Sequence, residues 1–166
     1  MADTTSSRSK NSFTYPYRRI SRRRVNVLLF LTQKIGTEVL PHLLPDADLN
    51  IRVVSENSKA DFLDAMEDGT DLSSVQWIEN EPRDPYRNHT KMQGHLLAKW
   101  ADLLFVVGDA EMVSLMLLGI TNSIILHVLR CWDTSKRIVM LPEMSMDQYK
   151  HPIWRKQLSK IQRRWD

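Results

Sequence analysis

Cysteine is nearly absent from this chain of 166 residues, where Cys131 stands alone. A single thiol excludes a disulfide framework and points to a reducing, cytoplasmic compartment. With the histidines scattered, it leaves no zinc-type cluster either. Acid is scarce in the first 24 residues, which hold seven basic residues and one acid, Asp3. Residues 25–166 hold 16 basic and 19 acidic residues, so the basic character belongs to a tail and not to a domain surface. A nucleic-acid-binding domain puts its excess charge on the folded part, so the balance argues against one. The tail, rich in Ser, Thr and Arg, reads as disordered and solvating, with a loose likeness to a transit peptide. It has no apolar core of the kind a secretory signal needs.

Long hydrophobic runs are lacking too. The most apolar stretch, Met112–Trp132, is interrupted by Asn122, His127 and Arg130. A membrane span would not tolerate those breaks. Gly119-Ile120-Thr121-Asn122 divides the stretch into two short helices, expected to bury against another subunit as well as against their own sheet. Neither repeats nor low-complexity runs follow the tail.

What remains is ordinary for one globular domain over residues 25–166, with 42% hydrophobic and 26% charged residues in the chain as a whole. Val25–Leu31 is a short, branched, apolar run that reads as a buried strand. A helix follows from Gln33 to about Leu44, with Ile35, Val39, Leu40, Leu43 and Leu44 at helical spacing. Ile51–Val54 is a second strand, after which Ser55 can cap a helix from Ser58 to about Met66. Val75–Ile78 is a short strand. Glu79 to Arg87 holds Pro82 and Pro85 and reads as a loop. A helix spans His89–Trp100, and Leu103–Val107 is the clearest strand. Helices run from Ala110 to Arg130. Ile138–Leu141 is a last strand, expected to be central with the other long ones, and Tyr149–Arg164 is a terminal helix. Strands that alternate with helices make a parallel sheet covered on both faces. Such sheets bind ligands beyond the carboxyl ends of their strands, so function belongs in the loops after Leu31, Val54, Val107 and Leu141.

Several motifs occur in one order along residues 25–166. They are Lys99-Trp100-Ala101-Asp102, Leu103–Val107, Val128-Leu129-Arg130-Cys131-Trp132-Asp133, Pro142-Glu143-Met144-Ser145 and His151-Pro152. Together they resemble the R-W-A-D, V-V-R-A-W-D, P-x-M-N and H-P segments of the flavin-containing cysteine decarboxylases, the group of phosphopantothenoylcysteine decarboxylase. The resemblance implies a three-layer flavodoxin-like or Rossmann-like α/β fold with helices on both faces of the sheet. It also implies a trimer, homomeric or mixed with other members of the family, holding FMN between subunits. The reaction it implies is oxidative decarboxylation of a cysteine moiety on a small molecule or peptide, as in coenzyme A biosynthesis.

The same resemblance implies FMN contacts at Thr32, Gln33, Lys34, Ser55, Ala110, Glu111, Asn122, Ser123 and Met144. It gives His95 the place of the base, with His89 as the other candidate, and puts Ser145 where the family holds the substrate carboxylate with Asn. This chain departs from the pattern at several of these points. Phe30 and Gln33 stand at glycine positions of the phosphate loop, whose open backbone lets phosphate approach. Thr32 then has the plainer alternative of capping the helix. Glu111 replaces a neutral amide with a charge that donates no hydrogen bond. His95 lies one residue closer to Trp100 than the family base does, about 100° of helical rotation. Cys131, at a family alanine, reads as a small buried residue of an apolar helix. Two readings follow: a flavoprotein impaired on its own, or a non-catalytic chain that pairs with an active family member or regulates something else.

Overall fold

The computed structural model describes residues 23–66, 69–80 and 89–165. The basic tail apart from Arg23 and Arg24, and most of the proline-containing loop, lie outside these residues. The order of elements is β1 (Val25–Phe30), α1 (Gln33–Leu43), β2 (Leu49–Ser55), α2 (Lys59–Ala65), β3 (Gln76–Glu79), α3 (His89–Trp100), β4 (Leu103–Gly108), α4 (Ala110–Leu118), α5 (Ile124–Arg130), β5 (Arg137–Pro142), α6 (Met146–Lys150) and α7 (Pro152–Trp165).

The five strands form one sheet in the order β3-β2-β1-β4-β5, and every pairing is parallel. Parallel neighbours need crossovers, and the helices supply them. Alternate residues of β1 serve the two faces. Leu28 and Phe30 join Leu97, Ala98, Met116 and the whole apolar row of α5. Val27 and Leu29 join Leu40 of α1 and Phe62 of α2. Apolar residues run unbroken from Val27 to the end of β1 because both faces are covered there, and burying each Leu or Phe contributes roughly 1.5–3 kcal/mol. The three-layer α/β architecture is therefore as the sequence implies.

Four expectations are corrected. Among the described residues β5 pairs only with β4 and is an edge strand, and its Val139 and Leu141 are exposed. Ser58, not Ser55, caps α2, in a reciprocal capping box with Asp61; Ser55 is the buried last residue of β2 and donates to Leu31 O. The terminal helix is two helices, because Pro152 forces the residue before it out of the helical region, and His151 is extended at φ −63°, ψ 137°. Cys131 is exposed at the C-cap of α5 rather than buried within it.

Residues Ile124–Leu129 of α5 are buried by their own chain, so this helix does not exceed what the domain covers. Leu118, 73% exposed, and Ile120 are what remains uncovered between the two helices. No helix among the described residues is long and apolar enough to cross a membrane.

The amino ends of the strands are tied by polar groups. Asp102 accepts from Asn26 N at 2.9 Å and returns the bond from its own N to Asn26 O, while Asn26 Nδ2 donates to Trp100 O. The ring of Trp100 carries the Arg52 guanidinium 4.0 Å above its centre. Lys136, just before β5, donates to Ala98 O, Lys99 O and Ala101 O at the end of α3, where carbonyls lack helical partners and a cation is favoured. Its carbonyl accepts from Trp132 Nε1.

Candidate functional site

The sheet order reverses direction between β1 and β4, and at such a switch point the following loops part to leave a crevice. A cleft of about 760 Å³ opens there. Phe30, Leu31 and Thr32 enter it from β1, Val107 and Asp109 from β4, Glu56 and Asn57 from β2, Glu79 and Asn80 from β3, and Glu143 from β5. Glu111, Met112 and Leu115 of α4, and Asn122, Ser123, Ile125 and Leu126 around the start of α5, complete the described lining.

Of the positions named from the resemblance, Thr32, Glu111, Asn122 and Ser123 come together here. The others stand outside the described lining. Gln33 donates from Nε2 to Asp61 O, tying α1 to α2. Lys34 is exposed, Ala110 opens α4, and Met144 is half-buried after β5. Ser55 is fully buried, with its hydroxyl between Leu31 O and Asn57 N. His95 is exposed on α3. Ser145 is exposed and caps α6 by accepting from Gln148 N.

Glu79 and Asn80 escaped the sequence reading because β3 was not counted among the site-bearing strands. The period-2 run ending at Ile78 was the signal that would have found them. Asn80 is 7% exposed, and its Oδ1 accepts from Ile125 N, fixing the wall of the cleft. Glu143 is held by its N–H to Gly108 O.

The described lining holds five carboxylates, on Glu56, Glu79, Asp109, Glu111 and Glu143, and neither Lys nor Arg. The three helix starts nearby are unequal. Asp109 caps α4 with its own carboxylate, accepting from Met112 N, so the partial positive charge of that terminus is already engaged. Ser123 caps α5. Thr32 sits at the N-cap position of α1 but makes no capping bond, against expectation. Its buried Oγ1 has no partner among the described residues, so of these three starts α1 is the one without a side-chain cap. The glycine of this turn, Gly36, serves packing: a Cβ there would collide with the fully buried Phe62 ring. A phosphate dianion therefore fits these residues poorly. Two like charges 8 Å apart repel by about 2 kcal/mol at an effective dielectric of about 20, and one free helix start offsets roughly 0.3–1 kcal/mol.

Fold and switch point together define a flavodoxin-like three-layer α/β architecture with a cleft at the carboxyl ends of its strands. Residues 21–165 match the family model described as Flavoprotein, and the chain belongs to that family. It is 24% identical to a phosphopantothenoylcysteine decarboxylase of Mus musculus over 145 residues, which are 84% of this chain and 69% of that protein. It is 29% identical over 87 residues to the phosphopantothenoylcysteine decarboxylase subunit SIS2 of Saccharomyces cerevisiae, covering 51% of this chain but 16% of that one. Among solved structures, the FMN binding protein AtHal3 superposes with a TM-score of 0.59 at 18% identity, over 86% of this chain and 77% of that one. At that identity the likeness carries the fold.

Proposed function

We propose that this chain is a diverged flavoprotein of the cysteine decarboxylase group that does not hold FMN firmly, or decarboxylate, on its own. The observation that carries this reading is the described lining of the cleft, with five carboxylates and no cation, where a flavin nucleotide would bring its phosphate. The ancestral activity in this reading is FMN-dependent decarboxylation of a cysteine moiety in coenzyme A biosynthesis, in the cytoplasm. His95 and Ser145 both stand outside the cleft lining of their own chain. They act in this reading only if a neighbouring chain brings its cofactor cleft to them, with His95 as the base and Ser145 facing the substrate carboxylate through a single hydroxyl.

A second reading, a non-catalytic subunit that joins a mixed trimer with an active family member, is supported by the same lining. A chain that only completes the trimer around an active partner has no need of its own phosphate grip. The relative named as a decarboxylase subunit is consistent with it.

Titration of FMN against the pure chain, followed by flavin fluorescence, tests the common premise. The expected outcome is binding weaker than about 100 μM, worth less than roughly 5.5 kcal/mol. Saturation at low micromolar concentration would overturn both readings and return the chain to the ordinary enzymes. Adding an active family member then separates them: activity that falls with His95→Asn favours the impaired enzyme, and activity indifferent to it favours the non-catalytic subunit.

A further inference from the structure

A second, smaller cavity, of opposite charge, opens at the carboxyl-terminal halves of α4 and α5, where the end of α7 meets them. It measures about 270 Å³ and shares only Leu126 with the acidic cleft. Met116, Leu129 and Trp132 give it apolar walls, and Arg130 and Arg164 are its charged members. No carboxylate is among its described lining residues.

The two guanidinium groups arrive from distant parts of the sequence. Arg130 ends α5. Its Nη1 lies over the α4–α5 turn, where Gly119 has φ +74° and a Cβ would stand 3.4 Å from that nitrogen. The left-handed conformation suits only glycine well, and the missing side chain leaves room for the arginine head. Arg164, in the last turn of α7, donates from Nη1 to Leu117 O at 3.3 Å. That bond fixes the head beside the final carbonyls of α4 and uses one of its five donors. Neither arginine forms an ion pair among the described residues.

We propose that this cavity is a binding site for a small organic anion with an apolar body, of the class of short-chain carboxylates. A guanidinium fork matches a planar carboxylate through two parallel hydrogen bonds. Met116, Leu129 and the Trp132 ring shelter an aliphatic tail. The volume equals the liquid share of roughly nine waters, which suits a molecule of the size of hexanoate. The site does not depend on whether the larger cleft binds flavin.

The test is calorimetric titration of the full chain with hexanoate, hexanol, hexylammonium and inorganic phosphate. It is paired with the indole N–H resonance of Trp132, assigned by Trp132→Phe. Hexanoate should saturate with a Kd on the order of 1 mM or tighter and shift that resonance, while hexylammonium should not bind. Arg130→Gln and Arg164→Gln should each weaken hexanoate by about tenfold or more, the loss expected for a charge-assisted bond. Arg130→Lys and Arg164→Lys should fall between, with unchanged melting temperatures. Glu111→Gln, in the other cleft, should leave hexanoate binding as it was. The proposal is overturned if hexanol or phosphate binds as well as hexanoate, if the arginine variants bind it unchanged, or if no saturation is reached.

Discussion

At the amino ends of the strands, Asn26, Asp102 and Lys136 are each satisfied by backbone groups of another element. At the carboxyl ends of the same strands, Thr32 has a hydroxyl without a partner among the described residues, and Asp109 and Glu143 face a cleft with three further carboxylates. Two of the motifs that carry the family resemblance, Trp100-Ala101-Asp102 and Trp132-Asp133, belong to the first end. The departures that the resemblance implies, at Phe30, Gln33 and Glu111, belong to the second. A sheet can thus keep the knots that hold its strands in register while its ligand end drifts, because the two ends do separate physical work.

If that division holds, the largest change in stability comes from the amino end. Lys136→Met keeps the aliphatic length but removes a cation that serves three carbonyls at the end of α3 and lies 5.5 Å from the Trp132 ring centre. The expected loss is about 2 kcal/mol, in the range for hydrogen bonds to charged groups, read as a lower urea midpoint at unchanged slope. A loss below about 0.5 kcal/mol, the level of an ordinary surface change, would break the contrast.

The carboxyl end should respond in the opposite direction. Glu111→Gln with Glu143→Gln removes two of five like charges, so the fold should be unharmed or more stable by up to about 1 kcal/mol. FMN affinity should rise by about tenfold, the equivalent of roughly 1.4 kcal/mol. Calorimetry on the pure double variant reads both quantities. Unchanged FMN affinity would show that the missing glycines, and not the carboxylates, set the barrier.

The sequence made the fold legible wherever a residue's role was periodic. β1 from Val27 onward and β4 are apolar runs because both faces are buried, and α1 shows its spacing because one face is. The edge position of β5 was not legible: Ile138–Leu141 has the composition of a central strand, and only the pairing shows that no strand of the described residues lies beyond it. The site was half legible. Loops after strands could be named, and the resemblance singled out Thr32 and Glu111 beyond two of them and Asn122 and Ser123 between two helices. Asn80 and Glu79 were hidden, since β3 is four residues long and its partner at Ile125 is 45 positions away. Capping was misassigned between Ser55 and Ser58 because both precede a helix, and the choice was settled by a buried bond from Ser55 to Leu31 O.

A smaller effect is expected at His95. It is exposed on α3 and lies outside the cleft lining, so His95→Asn should change stability by less than about 0.5 kcal/mol. Its informative readout is turnover in a mixed complex, where the fold is not in question. A clear drop in melting temperature would mean that this residue belongs to the structural end of the comparison after all.

The finest distinction is the response to acid. Asp133, in the loop before β5, accepts the backbone N–H of Ser135 at 2.9 Å and then its hydroxyl at 2.8 Å. These bonds hold its carboxyl below the ordinary 3.8. Asp71, before β3, makes the same pair of bonds with Ser73 and is likewise held below 3.8. A carboxyl depressed in the folded state stabilises the fold at every pH above its unfolded value. The contribution is lost as the pH falls through the folded value. Both groups are solvent-exposed, so the effect is a modest tilt of the acid limb. Asparagine keeps an acceptor oxygen for the turn but cannot titrate. Asp71→Asn with Asp133→Asn should therefore melt below the parent chain at neutral pH. The two curves should approach each other as the pH falls from about 5 towards about 2. A gap that stays constant over that interval would mean that the charge on these turns does not contribute, and that neutral Asx geometry suffices at the amino ends of the strands.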